Sequence, residues 1–176
     1  ISVRLVGSEM CIRDRKYPTL AVIKGAAFGG GVGLISCCDI ALASENSIFS
    51  LSEVKVGLIP ATISPYVINA IGARNARRLF TSGERFDSNI AKQINLVHEI
   101  AKEEDLEKRI SYFIKHFKQN GPQAVIAAKK IVLDIFNKEI DDSVISHTCE
   151  VISALRTSKE GREGVTAFLE KRNPNW

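Results

Sequence analysis

Short apolar runs that end at glycine or in polar turns fill the first hundred residues, and helical apolar periods fill the rest. Thr19 to Gly25 (TLAVIKG) is β-branched, apolar and closed by a glycine, which reads as a buried strand. AAFGGG follows as a loop, VGLISCC as a short helix and DIALAS as a second strand; Ser47 to Ser50 reads as a further short strand leading into Glu53. Strand, loop, helix, strand in that order predicts α/β organisation with some parallel pairing. LIPATISPYVINAIG predicts a helix from near Thr62, with Pro65 tolerated in its first turn, and ARNARRLFTSG a second, with Gly83 just past its end. Asp87 or Ser88 can cap a short helix before NLVHEI, which reads as a strand.

From about Lys102 the pattern is helical throughout. Leu106, Ile110, Phe113, Ile114 and Phe117 share one face, and after the break at Gly121-Pro122 so do Val125, Ala128, Val132 and Ile135. Asp141 or Asp142 can cap a third helix and Ser158 a fourth that runs to EKR. The change of pattern divides the chain into a mixed core over residues 16–100 and a helical region over 101–176. Residues 1–15 (ISVRLVGSEMCIRDR) have no clear period and no signal-peptide core; they read as a foreign leader ahead of a chain whose natural N-terminal part lies upstream.

Composition narrows the function classes. Hydrophobic residues at 45% and charged residues at 25% are the balance of a globular domain. No apolar run approaches the ~20 residues of a membrane span. A net charge of +4 does not call for nucleic acid, though it suits a ligand that carries phosphates. The cysteines (Cys11, Cys37, Cys38, Cys149) form no C-x-x-C pair and read as reduced thiols of a cytoplasmic protein; His98, His116 and His147 show no metal-ligand spacing.

The densest chemical signal is Gly29-Gly30-Gly31 between a strand and a helix. Glycine admits positive φ and close approach of the backbone, and the first N–H groups of a helix are unpaired and lie at its positive end. Three uses fit. One is a tight turn with no ligand. Another is a dinucleotide loop, since Gly31-Val32-Gly33 with Ser36 nearly completes G-x-G-x-x-G and Glu53 lies where a ribose-binding acid could stand. The third is an oxyanion hole.

A resemblance favours the third. GAAFGGGVGLISCCDIALASENSIFSLSEVKVGLIP resembles the signature of the enoyl-CoA hydratase/isomerase (crotonase) superfamily in Gly25, the glycine turn, Cys38-Asp39, Phe49, Glu53, Gly57 and Pro60. RRLFTSGERFDSNIAKQINLVHEI and EGVTAFLEKR are similar to later parts of that family, so the resemblance spans residues 16–176. It implies an α/β, crotonase-like spiral of β-β-α units followed by a helical C-terminal region that joins subunits into trimers or dimers of trimers. It also implies an acyl-CoA thioester as substrate, with no cofactor beyond the coenzyme A that the substrate carries. Carried over position by position, the Gly30 amide is one of two oxyanion donors; the other belongs to an upstream A-G-x-D-like segment. Glu53 is the catalytic acid/base. Gly29, Gly31, Pro60 and Ala61 line the substrate. Phe168 stands near the adenine, and Lys171 near the CoA phosphates of a neighbouring subunit.

The sequence departs from the two-glutamate pattern of typical hydratases, because Gly33 stands where the second acid would align. One glutamate can shuttle a proton between carbons, as in isomerases, or activate water that other groups orient. The phrase LSEVKVGLIPATISPYV, with Gly33, looks most like methylglutaconyl-CoA hydratases and related enzymes of leucine breakdown. Asp39 reads as a structural cap or partner. Arg74, Arg77 and Arg78 read as a solvated helix face, and no G-x-S-x-G supports a serine nucleophile.

Overall fold

The computed structural model describes residues 9–176, so part of the 1–15 segment lies outside the described residues; residues 9–13 are helical. The chain divides into two compact units after Ile110.

The first unit contains β1 (Leu20–Ile23), β2 (Ala26–Phe28), α1 (Gly30–Cys37), β3 (Ile40–Ser44), β4 (Ile48–Ser50), a 3-10 turn (Ser52–Val56), α2 (Ser64–Ser82), β5 (Arg85–Asp87), α3 (Ser88–Gln93) and β6 (Glu99–Ala101). The strands form two small sheets. One has the order β1-β3-β6, all parallel, and the other β2-β4-β5, with β2 and β4 parallel and β4 and β5 antiparallel. β1 to β4 therefore go to alternate sheets, β5 stays beside β4, and β6 returns to the first sheet. The core between sheets and helices holds Val32, Ala43, Phe49, Leu51, Val67 and Leu79. Phe49 and Phe86 stack at 5.6 Å between ring centroids. Buried hydroxyls tie the turns to this core: Ser47 Oγ donates to the Ile23 carbonyl at 3.0 Å, and Ser88 Oγ to the Ser44 carbonyl at 2.6 Å.

Several expectations shift. AAF is a strand, not a loop, because its backbone pairs with β4 through Ala26↔Ile48, Ala27↔Phe49 and Phe28↔Ser50. NLVHEI does not pair as a unit. Leu96 and Val97 are buried while their amides donate to the Ala91 carbonyl, and the ladder to β3 runs only over Glu99–Ala101. α2 breaks at Gly72 (φ 76, ψ 154), where the two helices read from the sequence meet. Asp87 caps α3 by accepting from the Ile90 amide at 2.9 Å.

α4 (Leu106–Gln119) begins in the first unit, where Leu106 is buried and Arg109 holds Glu99 of β6 through two hydrogen bonds of 2.9 Å. The packing division thus falls inside α4 rather than where the sequence pattern changes. The second unit has the rest of α4, α5 (Pro122–Ile135), α6 (Asp142–Thr157) and α7 (Lys159–Leu169). Asp141 and Ser158 cap α6 and α7. The N-terminus of α5 has no cap of its own. Glu160 of α7 supplies one, accepting from the amides of Gln123 at 2.9 Å and Ala124 at 2.8 Å. Glu160→Ala therefore lowers the thermal midpoint by about 2–4 °C, the equivalent of ~1 kcal/mol for a lost N-terminal cap. Circular dichroism melts check this, and an unchanged midpoint would show that the contact adds nothing. Among the described residues, no helix is long and apolar enough to cross a membrane.

Candidate active site

β2 runs straight into the glycine turn. Gly29 has φ 50 and ψ −117, a conformation open to glycine and strained for residues with a Cβ, and its amide donates to the Ser50 carbonyl at 2.9 Å. That kink starts α1 at Gly30. Val32 and Gly33 donate back to the Gly29 carbonyl at 2.9 and 3.3 Å. The amides of Gly30 and Gly31 have no acceptor among the described residues. Two free donors at the positive end of an eight-residue helix can receive an anion or a developing oxyanion.

Glu53 stands on the 3-10 turn that follows β4. Gly57, left-handed at φ 75, closes the turn, and the Leu58 amide donates to the Glu53 carbonyl at 3.0 Å. The carboxyl lies over Gly29, with Oε1 2.9 Å from the point where a Cβ on that glycine would sit. Oε2 is buried and has no hydrogen-bond partner among the described residues. A buried carboxylate oxygen without a partner is costly and calls for a ligand or water to satisfy it. A carboxyl thus lies over the glycine that precedes two amides without an acceptor among the described residues. Pro60 is buried just beyond, and Ala61 is exposed. The intervening Val56, Leu58 and Ile59 are 74%, 63% and 72% exposed and give an apolar rim.

One turn further along α1, Gly33 is covered by Ile63, which is 2% exposed. Glu9 also reaches this place and was not foreseen from the sequence. It is 0% exposed, and neither carboxylate oxygen has a hydrogen-bond partner among the described residues. Burial raises its pKa. Burial also pushes the Cys37 thiol up to about 12, with the Glu9 carboxylate adding to the rise, so Cys37 is no thiolate nucleophile at neutral pH.

The remaining candidates separate cleanly. Asp39 is structural, accepting from both the amide and the hydroxyl of Thr19 at 2.7 Å. Arg78 is paired with Glu84 at 2.8 and 3.2 Å. Phe168, at the end of α7, is 81% exposed, and Lys171 follows it with a left-handed φ of 53. Both belong to the second unit. A cavity of about 650 Å³ in that unit touches Gln123, Glu160, Glu163 and Trp176. Its acids are already engaged: Glu160 caps α5, and the Arg172 guanidinium holds the Glu163 carboxyl down at about 2. The candidate site is therefore the glycine turn rather than that cavity.

Comparison with known proteins gives the family. The family model described as Enoyl-CoA hydratase/isomerase matches residues 6–176. An enoyl-CoA hydratase from Shewanella pealeana superposes with a TM-score of 0.95 at 42% identity, over 99% of this chain and 65% of that one. An enoyl-CoA hydratase/isomerase from Marinobacter aquaeolei gives 0.94 at 30% identity, over 100% and 67%. Enoyl-CoA hydratase ACTT6 of Alternaria alternata is 32% identical over 161 residues, 90% of this chain and 53% of its own length. The mitochondrial Delta(3,5)-Delta(2,4)-dienoyl-CoA isomerase of Dictyostelium discoideum is 33% identical over 159 residues, 89% of this chain and 54% of its own. The chain spans between 53% and 62% of the length of the first curated relatives it matches. With the family pattern running from residue 6 to residue 176 and solved members superposing over almost all of it, the chain belongs to the enoyl-CoA hydratase/isomerase family and has its crotonase-like fold.

Proposed function

We propose that the protein adds water to an α,β-unsaturated acyl-CoA thioester, with Glu53 as the acid/base and the Gly30 amide as one oxyanion donor. Water oxygen bonds to the β-carbon, and its proton passes by way of Glu53 to the α-carbon. The electron pair of the double bond moves toward the thioester oxygen, where the amide stabilises it before the α-carbon takes the proton. The single observation that carries this reading is the unpartnered Glu53 Oε2 beside the unpaired Gly30 and Gly31 amides. The second oxyanion donor is expected from an upstream segment. Coenzyme A enters as part of the substrate, with Gly29, Gly31, Pro60 and Ala61 along the acyl group; the resemblance implies Phe168 near an adenine and Lys171 near the CoA phosphates of a neighbouring subunit. The subunits assemble as a trimer or a dimer of trimers in the cytoplasm.

The preferred substrate is a branched enoyl-CoA that carries its own carboxylate, such as methylglutaconyl-CoA. The support is Gly33, which leaves no second acid on α1, together with the phrase LIPATISPYV. In competition assays on the full-length protein, the carboxylated thioester is turned over faster than crotonyl-CoA. Faster turnover of crotonyl-CoA would overturn the preference. A second reading, double-bond isomerisation, is favoured by the single carboxyl at Gly29; migration of the double bond without hydration would establish it.

A further inference from the structure

We propose that Ile63 is a specificity-determining residue, an apolar wall that fills the space a side chain at position 33 would need and so leaves α1 without an acid of its own. This rests on the reading of Glu53 as the proton-transfer group. Gly29 is the N-cap of α1, and Gly33 lies one turn along the helix from it. Glu53 covers the first and Ile63 the second.

The obstruction is rigid. A Cβ at Gly33 would stand 2.7 Å from Ile63 Cβ and closer still to its Cγ2. Ile63 is the N-cap of α2, and its carbonyl accepts from the Tyr66 and Val67 amides at 3.1 and 3.0 Å. A β-branched side chain on a backbone held in this way has few rotamers to retreat to. No side chain fits at position 33 while Ile63 keeps its place.

The consequence is chemical. With Ile63 against Gly33, α1 gives an attacking water no carboxylate of its own one turn beyond Gly29. A plain enoyl thioester brings no polar group that could stand in for one. A substrate with its own carboxylate does. The Gly33–Ile63 pair thus selects carboxylated acyl groups by withholding what the others require.

The test compares crotonyl-CoA with glutaconyl-CoA, a carboxylated enoyl thioester, in the full-length protein. Gly33→Glu alone loses activity on both, because the new side chain cannot enter. Gly33→Glu combined with Ile63→Gly, a residue tolerated at an N-cap, raises the crotonyl-to-carboxylated rate ratio at least ~10-fold, below the full ~100-fold or more of a well-placed acid–base group. The same rise from Gly33→Glu with Ile63 intact would overturn the proposal, as would an unchanged ratio in a folded double variant. So would a changed ratio from Glu9→Gln alone, since the Glu9 carboxyl also reaches Gly33. A wild type that turns over neither thioester would instead sink the hydratase reading. Melts of the 176-residue chain read the contact separately. Gly33→Ala lowers the midpoint by about 5 °C, an overpacking effect. Adding Ile63→Ala recovers part of that loss, whereas strictly additive losses would show that the two residues do not collide.

Discussion

Glu53→Gln lowers kcat at least ~100-fold in the full-length protein and leaves KM nearly unchanged. The substitution keeps the shape of the side chain over Gly29 and removes its ability to take or give a proton. A positioned acid–base group contributes ~100- to 10,000-fold, and its loss falls on kcat when the group acts in the transition state rather than in binding. One turn along α1 the position is Gly33, which brings no side chain of its own. Steady-state kinetics on the carboxylated thioester decide the matter. A Gln variant within a few-fold of wild type would remove Glu53 from the mechanism and with it the hydratase and isomerase readings together.

Gly29→Ala is expected to cost activity and stability by separate routes. With φ 50 and ψ −117, Gly29 sits where a Cβ is strained, at a cost on the order of 1–3 kcal/mol. The new Cβ would also stand 2.9 Å from Glu53 Oε1, so the carboxyl must move aside. Misplacing a reacting group by ~1 Å costs on the order of 100-fold in rate. Gly25→Ala separates the two effects. Gly25 has φ 97, and nothing lies within 4 Å of a Cβ there. It is expected to melt earlier, like Gly29→Ala, and to keep its kcat when assayed well below the midpoint. If both variants lose activity alike, backbone strain is the cause and the contact with Glu53 is not what aims the carboxyl.

Much of this architecture can be read from local signals. The glycine turn, strands β1 and β3, and the caps at Asp87, Asp141 and Ser158 all rest on neighbours within a few residues. What escapes the sequence is set by distant partners. Ala26–Phe28 is a strand only because β4 lies alongside it. Leu96 and Val97 look like ladder residues but fill the core instead. Glu160 reads as an ordinary helix acid and caps another helix 36 and 37 residues away. At the site, Glu53 and Gly30 stand out by motif. The partnership of Gly33 with Ile63 does not, since nothing in an isolated glycine or isoleucine announces the other. Nor does burial of Glu9, a polar residue in a segment without a period.

The Gly30 and Gly31 amides belong to the main chain, and that has a consequence for genetics. A screen that trims side chains to alanine will find Glu53 and pass over the donors opposite it, because no side-chain deletion can remove a peptide N–H. On the proposed reading, the electrophilic half of the site is written in chain shape. It will surface in such a screen only where the shape itself fails, at Gly29, and there it will look like a folding defect rather than a lesion in catalysis.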